Sequence, residues 1–100
     1  MPPLLLTAAA LTDIIDIGRF TAKKWGKRQH NKYLKQFDDA FNLLARQPEI
    51  GRDADNLRSR YKRFSQGSHT IFYRVGTESK SIVVRILHNS MDVEQHFKKV

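Results

Sequence analysis

The sequence predicts an α+β fold in two layers, ordered β-α-α-β-β-β, with a helical hairpin packed on one face of a small, mainly antiparallel sheet. Three observations carry this expectation. Two runs rich in β-branched and aromatic residues, 67–75 and 81–89, flank the short polar connection Gly76-Thr77-Glu78-Ser79-Lys80, the pattern of a β-hairpin. Upstream, two stretches repeat apolar residues at spacings of three and four, the period of a helix. Only a tight link joins those stretches, which makes them an αα-hairpin.

Leu4-Leu5-Leu6 follows two prolines and reads as a short first strand, since proline is tolerated at a strand's start and not in its middle. Thr7 stands at an N-cap position. The first helix runs from Ala8 to about Trp25, with Leu11, Ile14 or Ile15, Gly18, Ala22 and Trp25 along its apolar stripe. Asp13 near its start and Lys23 and Lys24 near its end suit the helix dipole. Gly26 reads as the residue that ends it, and Trp25 as a core anchor. A second helix, from about Arg28 to Arg46, carries Tyr33, Phe37, Ala40 or Phe41, and Leu44 on one stripe and stops at Pro48 and Gly51. Gln47 to Asn56 reads as a loop.

Leu57 to Phe64 reads as a polar strand. Alternation places Arg58, Arg60, Lys62 and Phe64 on one face and Leu57, Ser59 and Tyr61 on the other. In the strand 67–75, Ile71, Tyr73 and Val75 share one face, and Thr70, Phe72 and Arg74 the other. In 81–89, Ile82, Val84 and Ile86 share one face, and Val83, Arg85 and Leu87 the other. A meander of these three strands offers the helices one aliphatic face and leaves an open, Arg-rich face behind, conditional on a register in which a one-residue slip flips every side chain. Asp92, with Gln95 three residues later, reads as the N-cap of one further helical turn.

One hundred residues is one domain by size, taken here as 1–100. The chain has no cysteine, so disulfides and thiolate metal sites are excluded and a reducing compartment fits. The N-terminal leucines and alanines lack a basic leading segment and are followed by Asp13 and Asp16, unlike a secretion signal. No apolar run is long enough to span a bilayer, so the expected location is the cytoplasm. The net charge of +8 implies an anionic partner: nucleic acid, an acidic protein or anionic lipid. Between Arg19 and Lys35 lie seven cations and no acid, the composition of a solvated helix face, with an anion-binding role for the hairpin tip as the lesser alternative.

The strand–helix–helix–three-strand order resembles the RelE/ParE superfamily of bacterial toxin–antitoxin toxins, and within it the ParE branch. The residues that carry the resemblance are Trp25-Gly26, Pro48-Glu49-Ile50-Gly51-Arg52, Ser68-His69-Thr70-Ile71-Phe72-Tyr73-Arg74, and Arg85-Ile86-Leu87-His88 with Met91-Asp92 and His96. It implies a non-enzymatic toxin of the plasmid-stabilising kind that inhibits DNA gyrase. It further implies a small cognate antitoxin with an acidic, partly disordered C-terminal segment, and contact with operator DNA only through that antitoxin. A disordered tail that folds on binding wraps a large surface. The expected antitoxin- or anion-binding set is Arg58, Arg60, Lys62, Phe64, Phe72, Arg74 and Arg85.

The alternative is the RelE chemistry, ribosome-dependent cleavage of messenger RNA. That reaction needs an acid or base and cations around the phosphorane-like transition state, for which His88 and Arg85 on the basic sheet face are the candidates. Against it stands a plainer role for His88, as a structural residue closing its strand on the turn around Met91-Asp92. Tyr61 reads as packing. The histidines His30, His69, His88 and His96 have no metal-ligand spacing, and neither a phosphate-binding glycine loop nor a nucleophile motif is present, so no cofactor or metal is expected.

Overall fold

The computed structural model describes residues 4–54 and 60–98. The elements are β1 (Leu4–Leu6), α1 (Ala8–Trp25), α2 (Lys27–Arg46), β2 (Arg52–Asp53), β3 (Tyr61–Gln66), β4 (His69–Val75), β5 (Ser81–His88) and α3 (Val93–Lys98). One mixed sheet has the order β1-β5-β4-β3-β2. β1 runs parallel to β5, and every other pairing is antiparallel. This is the α+β architecture expected, with one strand more: Arg52–Asp53, inside the expected loop, adds a two-residue edge to β3.

Thr7 explains where β1 ends and α1 begins. Its Oγ1 accepts from the Ala10 N–H at 3.1 Å, the expected N-cap, and its own N–H donates to Val83 O at 3.0 Å. The main core lies between the helices and the sheet, where Ile17, Phe37, Ala40 and Leu44 meet Ile71, Tyr73, Val83 and Ile86. Buried polar atoms in this layer are satisfied. Ser81 Oγ donates to the Leu44 carbonyl at 2.8 Å, and the Tyr73 hydroxyl donates to Pro48 O at 2.7 Å while accepting from the Gly51 N–H at 2.8 Å. A Cβ at Gly51 would lie 2.4 Å from that hydroxyl, so the loop closes on Tyr73 only because residue 51 has no side chain.

Two departures from strict alternation decide which side chains face outward. First, β4 pairs Phe72 with Arg85 but Tyr73 with Val83, leaving Val84 as an inserted bulge residue. The bulge resets the phase of β5. Val83 and Ile86 both join the helix-side core, so the expected grouping of Ile82, Val84 and Ile86 does not hold. Thr7 Oγ1 donates to the carbonyl of Val84 at 2.9 Å.

Second, Gly67 and Ser68 form a two-residue hairpin turn and do not begin the strand. Gly67 has φ 59°, the first central position where a type II′ turn favours glycine. The turn sets Phe64 opposite Ile71 and Lys62 opposite Tyr73, so Phe64 and Lys62 face the helices, the reverse of the expectation for this strand. The opposite sheet face is not fully open either. Phe97 of α3 packs on Phe72 and Leu87, with Tyr61, Val84 and Val93 around them.

Candidate functional site

The sheet face away from α1 and α2 divides into a covered and an uncovered half. Over the covered half, the Phe97 ring meets those of Phe72 and Tyr61 edge-on, at centroid distances of 5.1 and 5.6 Å. The uncovered half carries Arg63 and Ser65 of β3, Thr70 and Arg74 of β4, and Arg52 of β2. Arg52 and Arg63 are direct cross-strand partners, a like-charge pairing that repels unless an anion lies between or over it. They line a shallow pocket of about 440 Å³ together with Ile50, Gly51, Phe64, Ser65 and Thr70. Its polar side chains are the guanidiniums of Arg52 and Arg63 and the hydroxyls of Ser65 and Thr70; Thr70 Oγ1 already donates to Asn89 Oδ1 at 2.7 Å, so the guanidiniums and Ser65 are the donors for carboxylate or phosphate oxygens.

The structure redistributes the residues expected on this face. Arg74 is there and exposed. Phe72 is there but only 2% exposed, because Phe97 lies on it, so it is not an open docking site. Phe64 turns the other way and packs on the helix-side core. Lys62 also turns the other way, and its Nζ lies 3.1 Å from Asp53 Oδ1. Arg60 is exposed just before β3 with φ 69°. Arg58 lies outside the described residues.

Arg85 stands opposite Phe72 in the register, but its guanidinium is not open. Its Nε and Nη2 donate to the two carboxylate oxygens of Asp13 in α1, at 2.8 and 3.0 Å. Asp13 Oδ2 also accepts the Ile86 N–H at 2.9 Å, doing for β5 what β1 does only as far as Val83. The hydrogen bond to Asp13 holds the Arg85 pKa above its ordinary value. Arg52, Arg63 and Ser65 are the residues the sequence reading missed. Taking Gly67-Ser68 as a two-residue turn and counting back from Ile71 would have found the β3 pair.

His88 closes β5 as a structural histidine would. Its Nδ1 accepts from the Ser90 N–H at 3.1 Å, so the Ser90 hydroxyl, 2.7 Å away, donates to the same nitrogen and the neutral ring carries its proton on Nε2. The ring stands edge-on to that of its cross-strand partner His69, 5.1 Å between centroids. His69 Nδ1 lies 2.7 Å from the Tyr33 hydroxyl, which accepts the Ser68 N–H at 3.3 Å. Burial, and after it the facing His88, push the His69 pKa below its ordinary value. Tyr33 in turn covers the hairpin turn, where a Cβ at Gly67 would sit 2.7 Å from its ring. Among the described residues, no group of three or more His, Asp or Glu side chains is placed to hold a metal ion.

Trp25 is not a core anchor. It is 63% exposed at the tip of the helical hairpin, and Phe20 is 60% exposed beside it. Among the described residues, no helix is long and apolar enough to cross a membrane.

Residues 4–93 match the family model described as the ParE toxin of the type II toxin–antitoxin system parDE. Toxin ParE1 of Mycobacterium tuberculosis is 41% identical over 92 residues, covering 92% of this chain and 94% of its own. Toxin ParE1 of Caulobacter vibrioides is 34% identical over 96 residues, covering 96% and 98%. Among solved structures, the chromosomal ParDE system from P. aeruginosa superposes with a TM-score of 0.72 at 16% identity, covering 88% of this chain and 96% of the other. The toxin–antitoxin complex RelBE2 from Mycobacterium tuberculosis does so with a TM-score of 0.61 at 21% identity, covering 88% and 99%. At those identities the structural likeness is one of fold.

Proposed function

This chain belongs to the ParE toxin family of type II toxin–antitoxin systems, and from that premise we propose that it inhibits DNA gyrase without catalysis and is held inactive by a cognate antitoxin. The observation that supports a non-catalytic toxin is the commitment of Arg85, whose guanidinium is held in a two-point pair with Asp13. A ribonuclease would need that cation free beside His88 to meet a developing phosphorane charge. Replacing His88 by alanine therefore leaves growth arrest intact in a folded protein. Arrest abolished, with ribosome-bound messenger cleavage lost alongside it, would support the RelE-like alternative.

The uncovered half of the sheet supports neutralisation by an antitoxin. Among the described residues Arg52, Arg63 and Arg74 are in no ion pair, and they offer positive charge to an acidic, partly disordered antitoxin segment, which gains its contacts by folding on the toxin. The antitoxin carries the operator contact, and the toxin reaches that DNA only through it. Loss of supercoiling by purified gyrase in the presence of antitoxin-free toxin is the experiment that tests the target.

A further inference from the structure

The helical hairpin ends in a tip that neither layer of the fold uses. Thr21 is the last buried residue of α1 and Phe37 the first of α2, and every residue from Ala22 to Gln29 is exposed. Phe20 and Trp25 are the two most exposed large apolar side chains among the described residues. Lys24 Nζ lies 5.5 Å from the centre of the Phe20 ring and 5.4 Å from that of Trp25, so one ammonium serves two rings in open solvent. Arg19, Lys23, Lys27, Arg28 and Lys32 surround them, and no Asp or Glu occurs from Ile17 to Phe37. Among the described residues, none of these six cations is in an ion pair.

An anionic partner follows from the charge, and the residue types choose its class. Protein interfaces are depleted in lysine, whereas four of these six cations are lysines, which hold phosphates as mobile point charges. Exposed aromatics interleaved with such cations are the means by which proteins bind single strands: the backbone follows the charge and bases stack on the rings. A duplex would first have to unstack to present a base face, a cost that a single strand avoids. We propose that the tip of the α1–α2 hairpin binds single-stranded nucleic acid, with Lys23, Lys24, Lys27 and Arg28 on the phosphates and Trp25 stacked on an unpaired base. The base replaces Lys24 over the indole and releases that ammonium to the backbone. This activity is independent of the toxin's cellular target and of the antitoxin surface on the sheet.

Trp25 is the only tryptophan in the chain, so its fluorescence reports the tip directly. Oligothymidylate and oligouridylate of twelve nucleotides are titrated separately into the full-length, antitoxin-free protein. The expected result is saturable quenching of Trp25 that weakens as salt rises. Its log–log slope is roughly −0.7 per phosphate held, about −3 for four cations. Quenching by one oligonucleotide and not the other assigns the site to DNA or to RNA, and quenching by both assigns it to either. Read by anisotropy of a labelled strand, Trp25→Ala weakens binding about 5- to 100-fold with an unchanged circular dichroism spectrum. The double variant Lys24→Gln/Lys27→Gln lowers the salt slope by about 1.4. Three results would overturn the proposal. They are no binding of either strand, binding that leaves Trp25 unquenched and is indifferent to Trp25→Ala, and quenching by polyglutamate but by neither oligonucleotide, which would make the tip a protein contact.

Discussion

Replacing Asp13 by alanine should cost more stability than any surface charge in this protein. The carboxylate accepts three hydrogen bonds, two from Arg85 and one from the Ile86 N–H, and the side chains of the pair are only 13% and 22% exposed. Alanine leaves a half-buried guanidinium without its counter-ion and a strand N–H without an acceptor. Breaking a fully buried pair costs about 3–5 kcal/mol, and a hydrogen bond to a charged group contributes about 1.5–3 kcal/mol. With Arg85 partly solvated, the expected loss is about 2–4 kcal/mol, or roughly 10–25 °C in Tm for a domain of this size. Asp13→Asn keeps an acceptor for Ile86 and loses the charge, so it should cost about half as much. Arg85→Met should cost about 1.5–3 kcal/mol, and the double variant Asp13→Ala/Arg85→Met less than the sum of the two singles. Urea denaturation followed by circular dichroism at 222 nm measures all four. Trp25 fluorescence would not serve, because that ring is already in solvent. An Asp13→Ala protein within 0.5 kcal/mol of the parent would refute the reasoning and return Arg85 to the list of available cations.

Three further outcomes are expected. The lowered pKa of His69 means that the unfolded chain takes up a proton near pH 6.5 that the folded chain resists. Stability should therefore be full above about pH 6.5 and fall as the pH drops below it, by at most about 1.4 kcal/mol per pH unit. The groups facing this ring are the Tyr33 hydroxyl and the Phe37 and His88 rings, and urea midpoints at pH 7.5 and 5.5 read the change. Tyr73→Phe strands the Gly51 N–H and the Pro48 carbonyl and should cost about 1–3 kcal/mol in the same assay, with a flat result excluding the hydroxyl as an anchor. Arg63→Glu and Arg74→Glu, both exposed, should leave stability within about 0.5 kcal/mol. They should slow antitoxin association about tenfold at low salt, and unchanged association in both variants would remove them from the interface.

The regular helices were legible because local chemistry determines them. Thr7 as cap, the span Ala8–Trp25 and the stop at Pro48 all depend on neighbours within four residues. The two faces of the sheet were not, because each depends on a single long-range count. The inserted Val84 moved Val83 into the core and left Arg85 at the strand edge, and the turn at Gly67-Ser68 exchanged Lys62 and Phe64 for Arg63 and Ser65 on the outer face. The Asp13–Arg85 pair spans 72 positions and leaves no mark on local periodicity. Trp25 was misread for a related reason. A helical stripe reports which side of a helix is apolar, and not how far the helix runs past the sheet that covers it. Arg74 was placed on the right face because β4 keeps strict alternation from Ile71 to Arg74.

Supercoiling of relaxed plasmid by purified gyrase tests most directly the proposal that this ParE-family chain poisons gyrase without catalysis. Increasing amounts of antitoxin-free protein should abolish supercoiling and accumulate cleaved DNA. The effect should persist with His88→Ala and reverse on adding the cognate antitoxin. Full supercoiling at a large molar excess of a demonstrably folded sample would contradict it.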